Sequence, residues 1–396
     1  MRALVTGGAG FIGSHIVDRL MGRGVEVRIL DSLNPRVHPR GKPDYLPGAA
    51  EFIQGDVADP RAVRTALRDV DVVFHQAAYQ DYMQDFSRFF MVNAVGTALL
   101  YETIVEHRLP VRKVIVASSQ SVYGEGQYRC PADGFFLAEP RQSSQLAGSD
   151  WDVRCPSCGR PADPLPLQEA HPNPGSAYGV SKLSQEMAAL RLGRLHGIPS
   201  VALRYSITQG ARQSHFNAYS GVLRIFTQKL LKGEAPILFE DGAQQRDYTH
   251  VDDVVDAAML VMDEPRADYE AFNVGARRIT TVRQYAKLLA DRLHFEGEPK
   301  QTNEYRVGDN RHGVSSVEKL MALGWKPRKS LDHILDDYLT WIRARPIEPG
   351  ITDLADRAMR ERGVVLKGAS RGRAAGGARR AAAQGATGRA VTEAGR

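Results

Sequence analysis

The amino-acid sequence predicts an α/β protein: a doubly wound parallel sheet followed by a smaller, less regular C-terminal lobe. Three observations carry this reading. Short apolar strand signals alternate with helical ones through the first 120 residues, the mark of successive βαβ units with helices on both faces of a sheet. A glycine-rich turn at residues 7–13 joins the first strand to the first helix. From Gln209 onward the alternation loosens, and helices separated by loops take over.

In chain order, residues 2–7 (RALVTG) form a short apolar run, and 14–24 read as a helix ended by glycine. Residues 25–31 (VEVRILD) alternate like a strand, and 50–57, 71–78 and 113–119 are further strand candidates, with helical stretches at 59–69 and 93–108 between them. Residues 125–175 break the rhythm; they are rich in Pro, Gly and Ser and hold all three cysteines. A helix from Ser176 to about His196 and a strand at 199–205 close a first domain, 1–205. The second, 206–350, is mainly helical, with a strongly amphipathic last helix at 331–345. A short helical extension is expected over 351–366. Beyond it the Gly/Ala/Arg composition cannot bury a core, so 367–396 is expected to be a disordered basic tail.

Of the 396 residues, 43% are hydrophobic and 25% charged, an ordinary globular balance. The longest apolar stretches, such as 254–262, fall well short of the ~18 residues that span a bilayer, and the N-terminus reaches glycines too early for a signal peptide. A cytoplasmic location and no membrane partner are expected. The net charge of +6 resides in 367–396, where seven basic residues face one acid, leaving residues 1–366 formally neutral. No nucleic-acid partner is therefore expected for the folded body.

The turn is specific because of its context. Gly8, Gly10 and Gly13 match G-x-G-x-x-G directly after a strand, with Gly7 before them and Phe11 and Ile12 opening the helix. Glycines there permit a tight turn and close approach of a pyrophosphate to the helix N-terminus. Asp31 closes the second strand 18 residues after Gly13, near the spacing of a carboxylate that binds a ribose 2′-hydroxyl. Such a carboxylate repels a 2′-phosphate, so the pattern favours NAD over NADP in a Rossmann-type domain. Asp56 and Val57, after the third strand, stand where a side chain reaches an adenine.

Tyr178 and Lys182 are four residues apart in a predicted helix, hence on one face. An ammonium beside a phenol favours the phenolate, which can take a proton from a sugar hydroxyl while hydride leaves the same carbon. Ser119, ending the 113–119 strand, is placed to hold that hydroxyl.

Together, TGGAGFIG, Asp31, Asp56-Val57, HQAA at 75–78, Asn93 in NAVGT, SSQSVYG and YGVSK resemble the extended short-chain dehydrogenase/reductase family of nucleotide-sugar epimerases and dehydratases. RDYTHVDDV and RVGDNRHGVSSVEKLMALGW extend the likeness to about residue 345. The resemblance implies a retained NAD surrounded by Phe11, Ile12, Asp31, Asp56, Val57, Gln76, Ala77, Ala78, Asn93, Tyr178 and Lys182. It implies that Arg246 and Arg306 hold the diphosphate of a sugar nucleotide, that Asn217, in a stretch lining the nucleotide pocket in relatives, contacts substrate, and that the enzyme is a homodimer. Two departures bear on the reaction. Dehydratases of the family carry an Asp-Glu pair after the catalytic Ser/Thr, where this chain has Gln120 and Ser121. The usual R-Y-F-N reads Arg204-Tyr205-Ser206-Ile207 here.

Tyr178 lies 55 residues beyond Tyr123, a longer spacing than in the simplest members. Within the insertion, Cys130 and Cys155-x-x-Cys158 suggest a zinc-knuckle turn one ligand short, with Asp133 or His171 as the fourth; free thiols or a redox switch are the alternatives. The insertion resembles that of a subgroup including dTDP-L-rhamnose 4-epimerases, where CxxHG stands in place of Cys130-Pro-Ala-Asp133-Gly. That resemblance implies Asp133 as the ligand and a deoxy-sugar such as dTDP-L-rhamnose as substrate. The expected function is thus an NAD-dependent epimerase acting at C4 of a nucleotide-diphosphate sugar. A net oxidoreductase or decarboxylase on the same fold and a non-catalytic NAD sensor are the rivals.

Overall fold

The computed structural model describes residues 1–81, 84–214, 216, 221–345, 357 and 359–369. Seven parallel strands form its main sheet: β1 (Arg2–Thr6), β2 (Glu26–Asp31), β3 (Glu51–Gln54), β4 (Val72–His75), β5 (Lys113–Ser119), β6 (Ser200–Tyr205) and β7 (Ala271–Val274). Their spatial order is β7-β6-β5-β4-β1-β2-β3. The chain runs outward from β1 to β3, then returns to the other side of β1 at β4, so the strand order reverses between β1 and β4. A crevice opens at the carboxyl ends there.

Alternation along each strand sorts its side chains into two cores, because successive residues face opposite sides of a sheet. Ala3, Val5, Val27, Ile29, Phe74, Ile115 and Leu203 pack on one face with Ile16, Val17 and Leu20 of α1 (Phe11–Gly22). Leu4, Leu30, Val73, Val114, Val116 and Ala202 pack on the other, against α2 (Pro60–Ala66), α3 (Gly96–Glu106) and α4 (Ala177–His196). Each such buried Leu or Ile contributes about 1.5–3 kcal/mol relative to exposure. α3 continues a helix that starts at Phe86 and widens by one turn over Phe90–Val95. The stretch Phe86–Glu106 is long and apolar enough to cross a membrane by composition alone, yet Leu100, Tyr101 and Ile104 of it are buried against the sheet.

Two boundaries differ from the sequence reading. β7 and α6 (Val251–Asp263) come from the region assigned mainly to the second lobe, yet β7 extends the main sheet and α6 covers the face beside α1. Residues 271–274 are too short to show a period, and only β6 supplies their partner. The tail boundary at 367 is also corrected: Val365–Lys367 pairs antiparallel with Glu304–Arg306, and the amides of Gly368 and Ala369 donate to the Asn303 and Ala147 carbonyls. Met359, Val364 and Val365 form a small buried cluster that local composition could not reveal. Among the described residues of the expected extension, 357 and 359–361 are helical.

The second lobe centres on Leu223, Phe226 and Leu230 of α5 (Gly221–Leu231), packed with Tyr285 and Leu289 of α7 (Val282–Arg292) and Leu335, Tyr338 and Ile342 of α8 (Leu331–Arg343). The 125–175 insertion builds a three-stranded antiparallel sheet from Gln127–Cys130, Gly134–Leu137 and Asp163–Pro164.

Candidate active site

Close backbone approach shapes the crevice. Gly7 has φ +66°, and a Cβ on it would lie 2.7 Å from the Ala77 amide nitrogen; one on Gly13 would lie 2.2 Å from the Gly7 carbonyl oxygen. Gly10 caps α1 without a side-chain bond, and no acid occupies the first turn. The helix N-terminus therefore keeps its positive end for an anion. Asp31 is buried at the end of β2, its carboxylate accepting from the amides of Ala9 (3.0 Å) and Leu33 (2.9 Å). Gln76 follows β4; its Oε1 accepts from the Tyr205 hydroxyl at 3.3 Å, and its buried Nε2 has no protein partner. A cradle that any Cβ would fill, a helix N-terminus and an orphaned donor fit the dinucleotide that the sequence predicts.

The other predicted cofactor residues divide. Val57 is buried over Gly96, where a Cβ would come within 2.9 Å of it. Asp56 is exposed and closes a turn onto the Ala58 amide. The Ala77 amide donates to Thr6, and Ala78 is exposed. Asn93 is fully buried and spends its amide within the protein: its Oδ1 accepts from the Tyr79 amide, and its Nδ2 donates to the Tyr79 carbonyl and to the Ser181 hydroxyl. Its place is to pin the loop after β4 to α4.

Ser176 caps α4, accepting from the Gly179 amide at 3.1 Å, and Gly197 ends it at φ +68°. Gly179 touches the turn after β5 so closely that a Cβ would lie 2.4 Å from the Ser121 carbonyl oxygen. That contact brings Tyr178 and Ser119 to one cavity of about 850 Å³, whose wall includes Phe11, Ile12, Gln120 and Ser121. Ser119 Oγ accepts from the Ser121 amide at 3.1 Å and donates to the Ser121 hydroxyl at 3.2 Å. Tyr178 meets the Phe89 ring edge-on, with centroids 6.2 Å apart.

Lys182, one turn further along α4, is completely buried, and burial pushes its ammonium down to about 7 against the opposing pull of Glu186. Its Nζ donates to Gln185 Oε1 at 2.5 Å, and Gln185 Nε2 donates to Thr97 Oγ at 3.1 Å. The Thr97 hydroxyl proton goes to the Asn93 carbonyl, so Thr97 Oγ must accept from His75 Nε2 at 2.9 Å. His75 is thus the Nε2–H tautomer, and its Nδ1 accepts from Thr6 Oγ at 2.8 Å. Burial, reinforced by Lys182, depresses His75 to about 3, keeping it neutral. This chain of side chains, from Lys182 to the strand before the glycine turn, was not anticipated from sequence, since its members are spread over more than 170 residues.

Arg246 and Arg306 line the same cavity. Both Nη atoms of Arg246 donate to backbone carbonyls, of Gln245, Asn310 and Arg311, which fixes its guanidinium. Arg306 lies over the Phe239 ring and pairs with Asp309. Ser206 and Ile207 replace the expected Phe-Asn in the wall, and Ser206 bonds Thr249. Asn217 lies outside the described residues. Arg360, Gly363 and Val364 also line the cavity; only the short apolar run 364–366 signalled them. A buried charge network missed in the sequence underlies one wall. Glu125, raised by burial to about 7 despite Arg141, accepts from the Arg311 amide, while Arg141 and Arg311 both bind Glu240.

The four candidate metal ligands do converge: one ligand atom each from Cys130, Asp133, Cys155 and Cys158 lies within 4.8 Å of every other. His171, the alternative fourth ligand, packs against Phe135 instead, with ring centroids 5.3 Å apart.

Fold and site together describe an α/β protein with a crevice at the strand ends, Ser119 and Tyr178 in the wall of one cavity and Lys182 buried one turn further along α4. The comparisons narrow this. The model of the NAD dependent epimerase/dehydratase family matches residues 3–145 and 157–275, its gap falling in the cysteine insertion, and the chain belongs to that family. It is 33% identical over 350 residues to a dTDP-L-rhamnose 4-epimerase of Burkholderia thailandensis, covering 86% of this chain and 94% of that one. It superposes with a TM-score of 0.71 and 32% identity on the Thermotoga maritima UDP-glucose 4-epimerase solved with UDP-glucose, over 87% and 99% of the two chains. The Thermus thermophilus UDP-glucose 4-epimerase in complex with NAD gives 0.68 at 28% identity, over 87% and 100%.

Proposed function

We propose that this protein is an NAD-dependent epimerase that inverts C4 of a nucleotide-diphosphate sugar through a transient 4-keto sugar. The observation that carries the reading is one cavity lined by Ser119, Tyr178, Arg246 and Arg306, in which the two positions after Ser119 hold Gln120 and Ser121. Neither is an acid or base strong enough to expel water, which favours epimerisation over dehydration. Tyr178 as phenolate removes the C4 hydroxyl proton and later returns it, with Ser119 holding the oxygen. Lys182 beneath supplies the positive charge that stabilises the phenolate. NAD, when bound against Gly7–Gly13 and Asp31, supplies a reversible hydride acceptor. The two arginines grip the diphosphate, bidentate recognition being their strength, while the roomy cavity lets the keto sugar present its other face.

The likeness to the Burkholderia enzyme favours dTDP-L-rhamnose. The protein works in the cytoplasm, without a nucleic-acid or membrane partner, as a homodimer. Supporting the dimer, Met91 and Met187 are 49% and 54% exposed on neighbouring helices, with Val95 and Val180 also on the surface, an apolar face that a second copy would cover. Proton NMR of the purified protein with dTDP-L-rhamnose or UDP-glucose, adding no NAD, tests the reaction. Appearance of the C4 epimer without growth of reduced-nicotinamide absorbance is expected. Accumulating absorbance would instead make it a net oxidoreductase, and no turnover of either sugar even with NAD supplied would discard the substrate assignment.

A further inference from the structure

Nothing in that chemistry uses the cysteines, yet the chain's only three meet at one point, together with one carboxylate. They arrive on two turns of like build. In the first, Cys130 is followed by Asp133 and by Gly134 at φ +84°; in the second, Cys155 is followed by Cys158 and by Gly159 at φ +69°. The amides of Ala132 and Asp133 point at the Cys130 sulfur, and that of Arg160 at the Cys158 sulfur. Cys130 and Cys155 Sγ each lie 3.2 Å from Asp133 Oδ2, and Cys130 and Cys158 Sγ lie 3.5 Å apart. A tetrahedral ion with ligand bonds of about 2.0–2.3 Å sets neighbouring ligands roughly 3.5–3.8 Å apart, so a slight expansion admits one.

We propose that Cys130, Asp133, Cys155 and Cys158 bind one zinc ion that staples the insertion. Soft thiolates select zinc over calcium or magnesium, and four protein ligands leave no open position, which makes the site structural. None of the four lines the catalytic cavity. A staple suits the insertion, whose internal cluster is Tyr128, Ala138 and Val153 with Phe136 and Ala162 beside them, while its other buried apolar residues, Leu146, Trp151 and Leu167, pack with Tyr305, Val122 and Tyr123 outside it. A small internal core of this kind gains from a cross-link or metal. The stapled segment also reaches the active site: Arg141 binds Glu125, Glu240 and the Asp309 carbonyl, and Glu125 and Asp309 are in the cavity wall. Zinc therefore supports the substrate wall through the insertion, independently of which sugar fills it.

The test is metal analysis of the full-length protein, purified under reducing conditions and given zinc before gel filtration. About one zinc per chain should be retained, and it should be lost in Cys155→Ser and Cys158→Ser. Cobalt in its place should give the intense visible bands of a tetrahedral thiolate site. Asp133→His, which offers a better zinc ligand, should slow release to a chromophoric chelator roughly tenfold or more; this readout does not depend on a serine variant folding. Absence of zinc and cobalt uptake would overturn the proposal. So would zinc that survives both serine substitutions, weak octahedral-type cobalt bands, or an intact mass showing Cys130 and Cys158 joined as a disulfide.

Discussion

At the scale of single residues, the proposed chemistry turns on how a fully buried lysine keeps its charge. Desolvation pushes Lys182 down to about 7 against the pull of Glu186, and its hydrogen bond to Gln185 supports the ammonium that the proposed Tyr178 phenolate would need. Gln185 is thus a positioning residue. Gln185→Leu should make the ammonium harder to hold, moving the alkaline limb of the pH–rate profile to lower pH, while Gln185→Glu moves it higher. A residue that merely packs would lower the rate of both variants with the limb unmoved. The placement of Ser119, Tyr178 and Lys182 was legible because one helix spacing and one strand end set it, and the structure puts Ser119 and Tyr178 in one cavity wall. Gln185 was not, since its role depends on Thr97 and His75 arriving from other elements. Asn93, which the resemblance sets beside NAD, braces the loop after β4 through its bonds to Tyr79 and Ser181, contacts that sequence alone does not record.

At the scale of elements, β4 carries a titration that should be visible in stability. His75 is buried and neutral, its folded value of about 3 lying below the ordinary 6.5. Its contribution is therefore whole above pH 6.5 and is lost as pH falls toward 3. His75→Gln should cost stability at pH 7 through the broken network. By pH 5 the gap to the wild type should narrow by about 2 kcal/mol, measured as urea midpoints at both values; a constant gap would mean that His75 is charged in the fold. The C-terminal strand offers a second test at this scale. Truncation after Ala369 should leave melting temperature and turnover unchanged. Truncation after Gly363, which removes Val364, Val365 and the pairing with Glu304–Arg306, should lower the melting temperature by several degrees and raise KM, since Val364 lines the cavity.

At the scale of the whole molecule, the proposed homodimer would form across the exposed apolar residues Met91, Val95, Val180 and Met187 on the helices at 86–106 and 177–196. Met187→Glu places a charge at the most exposed of these four and should convert a dimer to a monomer by light scattering; an unchanged mass, dimeric or already monomeric in the wild type, would remove this face from consideration. The sequence by itself determined the layered α/β architecture, because strand and helix periods are local and the glycine turn tolerates no other residue at Gly7 or Gly13. It also marked the glycine turn between the first strand and the first helix and put Tyr178 and Lys182 on one helix face, through spacing read in its strand and helix context. Only the tertiary structure decided the rest. Strand β7 and the strand at Val365–Lys367 are a few residues long and exist through the partners they pair with. The choice of Asp133 over His171 beside the cysteines, and the hydrogen-bonded run from Lys182 to Thr6, depend on side chains distant in sequence meeting at hydrogen-bond range, which no local pattern records.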